Sequence, residues 1–359
     1  MLGHDVIVVG ASAGGVEALR RLVGSLPADL PAAVFLVLHI PAQSPSLLPE
    51  ILSRSGPLRA LHPTDGEAIQ HRRIYVAPPD HHLLVEDGFV RVVRGPRENR
   101  HRPAIDPLFR SAARAYGPRV VGVILTGSLD DGTAGLLAIK RRGGVAIVQD
   151  PDDAMYASMP RSALAHVDVD HVLVLSKIGP VLARLTREQA AVEMKYLVPT
   201  DMEMETKLAA MDMSAMHNEE HVGTPSVYSC PECHGVLWEL HDGNLLRFRC
   251  RVGHAYSVDS ILAGQSEVVE DALWAALKTL EESLSLSRRM AKDARKGGKD
   301  WLASRFEEKA QEVEQHAILI QQVLLKGGMD TTLNTSAELV ATEKKGTIVI
   351  SRDDSQNEG

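Results

Sequence analysis

The sequence predicts an α/β fold: a mostly parallel, helix-covered sheet, followed by a small cysteine-bearing module and a helical hairpin. Three observations carry that expectation. Apolar runs of strand length, VIVV at Val6–Val9, AVFLVLHI at Ala33–Ile40 and RVVGVIL at Arg119–Leu125, lack polar alternation, as strands buried on both faces do. The first and third lead through a turn rich in small residues into a helical pattern, the strand-loop-helix grammar of a parallel sheet. Hydrophobic residues make up 44% of the chain but aromatic ones only 4%, so the core is aliphatic.

In order, the first strand gives way at Gly10 to a turn and an amphipathic helix over Val16–Val23. The second strand ends on His39 and Ile40, and Leu47–Ser53 reads as a short helix. Ile74–Ala77 and His82–Val93 alternate apolar residues around Asp87-Gly88, a strong hairpin signal. Asp106–Tyr116 carries Pro107 in its first turn and apolar residues at helical spacing, so a helix is expected to start at Asp106. After the strand Arg119–Leu125 come the loop Thr126–Gly132, a helix through Lys140, strands at Val145–Gln149 and His171–Leu175, and a helix over Ser162–Ala165. The resulting sheet is of the doubly wound, Rossmann-like kind. Methionines and acidic residues then dominate a stretch read as a mobile linker, with one short helix around Glu205–Met211. Further on, Val269, Leu273, Leu277, Leu280 and Leu284 recur at steps of four and three, as do Leu302, Phe306, Val313, Ile320 and Leu324, with Gly297-Gly298 between the runs. An antiparallel helical hairpin is expected. The last thirty or so residues read as disordered, with Thr347–Ile350 able to add a strand.

The 359 residues suffice for two or three domains. No segment approaches the roughly 18 apolar residues of a membrane span, and the N-terminus lacks a secretory signal, so a cytoplasmic location is expected. A net charge of -8 disfavours nucleic acid as a partner. All three cysteines fall in one short region, which in a reducing compartment points to metal rather than disulfides.

The first turn is where chemistry is expected. Gly10, Ser12 and Gly14 fit the pattern in which a sharp strand-to-helix turn lifts a serine hydroxyl clear of the sheet edge. A phosphate-cradling loop is the rival, but a dinucleotide fingerprint wants glycine where Ser12 stands, and a P-loop wants Gly-Lys-Ser/Thr at its end. A serine nucleophile needs a base and the base an orienting partner. Ser12 follows the first strand, His39 ends the second, and Asp130 or Asp131 follows a later one, and such ends gather at one edge of a parallel sheet. The competing readings are that Ser12 caps its helix, that His39 is a satisfied core histidine, and that Asp131 caps the helix beginning near Thr133.

These residues resemble the catalytic domain of the CheB-type protein-glutamate methylesterases of bacterial chemotaxis. The resemblance rests on GASAGG at Gly10–Gly15, LHIP at Leu38–Pro41, IYVAPPDHHL at Ile74–Leu83, HRPAIDPLF at His101–Phe109, LTGSLDDGTAGL at Leu125–Leu136, and QDP with SMPRSAL between Gln149 and Leu164. It covers the first half of the chain. It implies Ser12 as nucleophile, His39 as base and Asp131 as orienting acid, acting through an acyl-enzyme on glutamate γ-methyl esters, and by the same attack on glutamine amides. The implied partner is a methylated chemoreceptor or similar coiled-coil signalling protein. Departures from the family pattern are Ala13 in place of threonine, Gly127-Ser128-Leu129 in place of Gly-Met-Gly, and a catalytic strand that starts at once where a receiver domain is usual. They motivate an alternative, a non-catalytic signalling adaptor of the same fold that binds coiled-coil partners through its helical hairpin.

CPEC at Cys230–Cys233 and CRVGH at Cys250–His254, separated by a hairpin turning at Asp242-Gly243, match a closed Cys3His zinc site of Cys230, Cys233, Cys250 and His254, with His234 and His241 as rival fourth ligands. Such a zinc is structural and leaves the ester chemistry, which needs no cofactor, to the first half. Followed by EDALWAAL at Glu270–Leu277, the segment is similar to C-terminal extensions of standalone methylesterase-like proteins. Arg247, Arg249 and Arg251 alternate on one strand face, read as solvated or as a patch for an acidic partner. The expected organisation is a catalytic domain over 1–187, a flexible linker over 188–225, a zinc-ribbon-like module over 226–262, a helical hairpin over 263–326 and a tail over 327–359.

Overall fold

A computed structural model describes residues 3–191, 198–216 and 223–325. The expected tail and the strand at Thr347–Ile350 lie outside the described residues. Two compact units are present, Met1–Gln265 and a second beginning at Ser266.

The first unit opens with β1 (Val6–Ala11), α1 (Gly15–Gly24), β2 (Ala33–Leu38), α2 (Leu48–Ser55), β3 (Arg59–Leu61), β4 (Arg73–Val76) and the hairpin β5 (His82–Glu86) and β6 (Phe89–Val93). It continues through α3 (Ile105–Tyr116), β7 (Val120–Ile124), α4 (Thr133–Arg141), β8 (Val145–Gln149), α5 (Ser158–His166), β9 (His171–Leu173) and α6 (Leu175–Leu185). Seven strands form one parallel sheet in the order β3-β4-β2-β1-β7-β8-β9. The order reverses at β1, which lies between β2 and β7, so the crevice of the sheet opens at the carboxyl end of β1.

Successive side chains of β1 point to opposite faces. Val6 and Val8 join a core with Leu108 and Phe109 of α3 and Ile139 of α4, while Ile7 and Val9 join one with Leu19 and Leu22 of α1 and Leu182 of α6. Every residue of β1, β2 and β7 is buried, which is why these strands read as unbroken apolar runs.

The expected strands β1, β2, β4, β7 and β8 and the Asp87-Gly88 hairpin are present. Three residues of β3 at the sheet edge carry no readable period, and α6 begins at Leu175, where a strand was expected to end. The stretch 188–225, expected as a mobile linker, contains α7 (Thr200–Ala209) and α8 (Met213–Met216). Met202, Glu205, Thr206 and Ala209 of α7 are buried, so the methionine-rich composition hides one packed helix face.

Beyond it, β10 (Thr224–Ser229), β11 (Val236–Asp242), β12 (Leu245–Cys250) and β13 (Ala255–Ser257) form an antiparallel sheet in that order. Arg247 and Arg249 of β12 are neither solvated nor free for an acidic partner: they are 7% and 6% exposed. Both guanidinium groups of Arg247 and Arg249 donate to Glu205, and Arg249 and Arg110 donate to Glu98. Arg247 also pairs with Asp242. Three arginines and three carboxylates thus meet out of solvent where α3, α7 and β12 converge.

Last come α9 (Val258–Lys296) and α10 (Asp300–Leu325), joined around Gly298, whose φ is 67°. Ala291, Ala294, Ala303, Ala310, Val313 and Ala317 are buried, and Arg288–Glu314 and Arg295–Glu307 pair across the antiparallel hairpin. Among the described residues, no helix is long and apolar enough to cross a membrane.

Burial opposes the charge of Glu205, but Arg247, Arg249 and Arg110 outweigh it and hold the carboxyl well below its ordinary range. Breaking a buried pair by removing one partner costs about 3–5 kcal/mol, because an uncompensated charge is left. Glu205→Gln is therefore expected to lower the unfolding free energy, read from urea denaturation, by that order. Since the depressed carboxyl contributes stability only while ionised, the gap from the parent should shrink as the pH falls below the carboxylate range.

Candidate active site

Ala11, the last residue of β1, pairs with Leu38, the last of β2, so Ser12 and His39 leave adjacent strands at the same level. The turn after β1 is fixed from both sides. Gly14, with φ 74°, caps α1 in the left-handed region, the Ser12 N–H donates to the Thr126 carbonyl at 3.0 Å, and the Thr126 hydroxyl donates to the Ala13 carbonyl at 3.0 Å. Ser12 therefore does not cap its own helix. Its hydroxyl donates to His39 Nδ1 at 3.0 Å, and His39 Nε2–H donates to Asp131 Oδ2 at 2.7 Å. The imidazole presents its two nitrogens in the reverse sense to the chymotrypsin template, yet it keeps the requirement that one faces the hydroxyl and the other the carboxylate.

Asp131, from the loop after β7, does not cap its own helix either: Gly132, with φ 97°, occupies that N-cap and no side chain bonds to it. Its Oδ2 accepts from the Ile105 N–H at 2.7 Å and its Oδ1 from the Asp106 N–H at 3.2 Å and from Asn99 Nδ2 at 2.9 Å. It caps the first turn of α3, where orphan N–H groups and the positive end of the helix dipole favour an anion. Burial works against its charge, but the bond and charge of His39, then the Ile105 N–H, hold the carboxyl below its usual range. Asp106 returns the cap: its Oδ1 accepts from the Gly135 N–H of α4 at 2.6 Å. Burial and the neighbouring Asp131 push the Asp106 carboxyl well up, so of the two adjacent carboxyls Asp106 keeps the proton.

Asn99, His101 and Asp106 are site residues that the sequence reading did not assign. Asp106 was expected to start α3, which in fact begins at Ile105. The His101 ring stacks on His39 with centroids 3.6 Å apart and planes 13° from parallel. Burial, then the charge of His39, lowers the His101 pKa to about 3, so it stays neutral and braces the His39 ring. For His101 and Asp106 the one signal available was their place in the motif His101–Phe109, while Asn99 lies outside it.

The loop carrying Asp131 packs closely on the serine. A Cβ at Gly127 would lie 2.0 Å from Met159 Sδ and 2.9 Å from the Ser12 Cβ. Leu129, which stands where glycine is usual, has φ 60°. A side chain in that left-handed region costs about 1–2 kcal/mol, so the loop carries local strain at Leu129.

The four residues expected to hold metal also come together. Sγ of Cys230, Cys233 and Cys250 and a ring nitrogen of His254 all lie within 4.8 Å of one another. The contacts Cys230–His254, Cys233–Cys250 and Cys250–His254 measure 3.7, 3.6 and 3.6 Å. These lengths suit the edges of a tetrahedron around one ion, about 3.5–3.8 Å for metal–sulfur bonds near 2.3 Å and metal–nitrogen bonds near 2.1 Å. His254 Nε2 faces Glu232 at 3.3 Å, the outer-shell carboxylate typical of such sites. The rivals His234 and His241 are exposed, and His234, with φ 59°, supplies the turn after Cys233.

Burial raises the Asp130 pKa to about 7, against the bond it accepts from the Ser257 hydroxyl at 2.6 Å. The unfolded carboxyl titrates near 3.8, so this group's contribution to stability is present below that pH and is lost as the pH rises through 7. Asp130→Asn should therefore raise Tm by several degrees at pH 8, each kcal/mol being worth about 2–4 °C at this size. The gain should narrow toward pH 4, as read by calorimetry across that range.

The family described as CheB methylesterase matches residues 7–182. A Leptospira interrogans protein of the protein-glutamate methylesterase/protein-glutamine glutaminase type is 40% identical over 185 residues, which are 51% of this chain and 96% of that protein. Protein-glutamate methylesterase/protein-glutamine glutaminase 5 of Anaeromyxobacter dehalogenans is 42% identical over 186 residues, 51% of this chain and 51% of that protein. The crystal structure of the Thermotoga maritima CheB methylesterase catalytic domain is 31% identical, with a TM-score of 0.49, covering 50% of this chain and 98% of that one. The family match ends before the Cys/His cluster. With nearly the whole of one such relative matched at 40% identity, the chain belongs to the CheB methylesterase family.

Proposed function

We propose that this protein hydrolyses glutamate γ-methyl esters on a chemoreceptor-like coiled-coil protein in the cytoplasm, and glutamine side-chain amides by the same attack. The observation that carries the reading is the unbroken hydrogen-bonded line Ser12–His39–Asp131 at the crevice of the sheet in a chain of this family. Ser12 Oγ attacks the ester carbonyl as its proton passes to His39 Nδ1. The oxyanion is held by backbone N–H groups, that of Ala13 after the nucleophile being the first candidate. Collapse expels methoxide, which leaves as methanol with the proton from His39. A water that gives its proton to His39 then releases the glutamate and restores Ser12. Throughout, Asp131 fixes the imidazole tautomer and stabilises the imidazolium. Met155 and Tyr156, 71% and 47% exposed beside the serine turn, offer apolar contact to the surface of the substrate.

Cys230, Cys233, Cys250 and His254 hold one structural zinc in this reading. Four protein ligands fill the tetrahedron and leave no position for a reactive water, so the ion acts on folding.

Ser12→Ala is expected to slow methanol release from methylated receptor by about four orders of magnitude or more. A fluorophosphonate should label Ser12 in the parent and fail to do so in His39→Ala. Unchanged release by Ser12→Ala would sink the assignment, and a silent serine in well-folded protein would favour the adaptor. Elemental analysis should find one zinc per chain, and chelation should speed amide exchange between Tyr228 and Tyr256. A chain purified without metal whose exchange ignores chelators would refute the zinc site.

A further inference from the structure

Asn99 is 5% exposed and sits at φ 49°, a left-handed conformation that asparagine tolerates better than most residues. All four hydrogen-bonding positions of its side chain are used. On one side, Nδ2 donates to Asp131 Oδ1 at 2.9 Å and to Asp106 Oδ2 at 2.8 Å. On the other, Oδ1 accepts from the Ser257 N–H at 3.0 Å and from the Ser260 hydroxyl at 3.2 Å. A flipped amide would turn its carbonyl toward two carboxyls, so one orientation is fixed. The backbone is fixed as well: Asn99 N–H donates to the Ala255 carbonyl at 2.8 Å, and Ala255 N–H donates to the Arg97 carbonyl at 3.3 Å. Strand β13 thus lies along residues 97–99 of the catalytic half, and its first residue directly follows His254.

We propose that Asn99 is a positioning residue for the ester chemistry: it holds Asp131 in register with His39 and is itself held by Ser257 and Ser260 of the module. The inference rests on the Ser-His-Asp reading above. It also revises the expectation that the module stands apart from the ester site, because between the ligand His254 and the acid Asp131 lie only Ala255–Ser257 and Asn99. The cause is physical. A buried carboxylate with four donors around it has one orientation, and losing a donor leaves it freer and more basic. A more basic Asp131 favours the imidazolium of His39. The groups that share this surrounding are Asp106, Asp130, the neutral His101 and the Ser12 hydroxyl.

The test uses the full chain. Asn99→Asp tolerates the same backbone and keeps an oxygen facing Ser257 and Ser260, but gives up the two amide donors and adds a carboxyl beside Asp131. Ser260→Ala cuts the support from the module side without touching the triad. The His39 titration, followed by NMR of the imidazole, should move upward by about one pH unit in Asn99→Asp and in the same direction by less in Ser260→Ala. In methanol-release assays kcat should fall about 100-fold and several-fold respectively, with KM within twofold and the acid limb of the pH profile displaced upward. A residue serving stability alone would leave the His39 titration and the pH profile in place, and that result in both variants would overturn the proposal. If the parent releases no methanol, the ester reading fails, while a His39 titration that still moves in the variants keeps Asn99 in its role.

Discussion

The carboxylate of Asp131 is the constraint on which the site depends. A buried negative charge is costly unless it is compensated, and the fold compensates this one with the first turn of α3, an asparagine amide and an imidazole. The same bonds set the geometry. Because α3 carries the cap, the approach of α3 to the loop after β7 is fixed by the charge, and because His39 leaves β2 level with Ser12, one acid orients both partners. Asp106 completes a crossed pair of caps between α3 and α4, and it stays neutral because two ionised carboxyls this close would repel.

Much of this was legible in the sequence where the local code is simple. A strand buried on both faces reads as VIVV or AVFLVLHI, and a parallel sheet brings the ends of such strands to one edge, so Ser12, His39 and the pair Asp130-Asp131 were legible as a group, with the family resemblance pointing to Asp131. The cysteine spacing was readable for a similar reason, since two close pairs can enclose one ion. What stayed hidden depends on partners distant in sequence. Arg247 and Arg249 alternate as a solvated strand face would, and only Glu205 and Glu98, 42 and 151 residues away, explain their burial. Met202 and Glu205 sit in a stretch whose composition resembles a linker. Asn99 carries no signature at all, because its role lies in four bonds to groups on three other segments.

The two halves of the first unit are joined by chemistry unlike that of their cores. The sheet is held by aliphatic burial, whereas the junction of α3, α7 and β12 is held by three arginines and three carboxylates out of solvent. Such a cluster adds little net stability over apolar packing, but it tolerates few alternative arrangements, since each misplaced group strands a charge. It fixes β12, and through it β13, in register against residues 97–99.

That register has a consequence for synthesis. Asn99 finds the Ser260 hydroxyl 161 residues downstream, and Glu98 finds Arg249 151 residues downstream. A chain emerging at about 5–20 residues per second leaves these groups without partners for on the order of 10–30 s after Asn99 is made. The sheet can form in that interval, but the surroundings of the acid cannot close. The nascent chain therefore passes through a period in which its core is built while Asn99 and Glu98 still lack the partners that β12, β13 and the start of α9 bring.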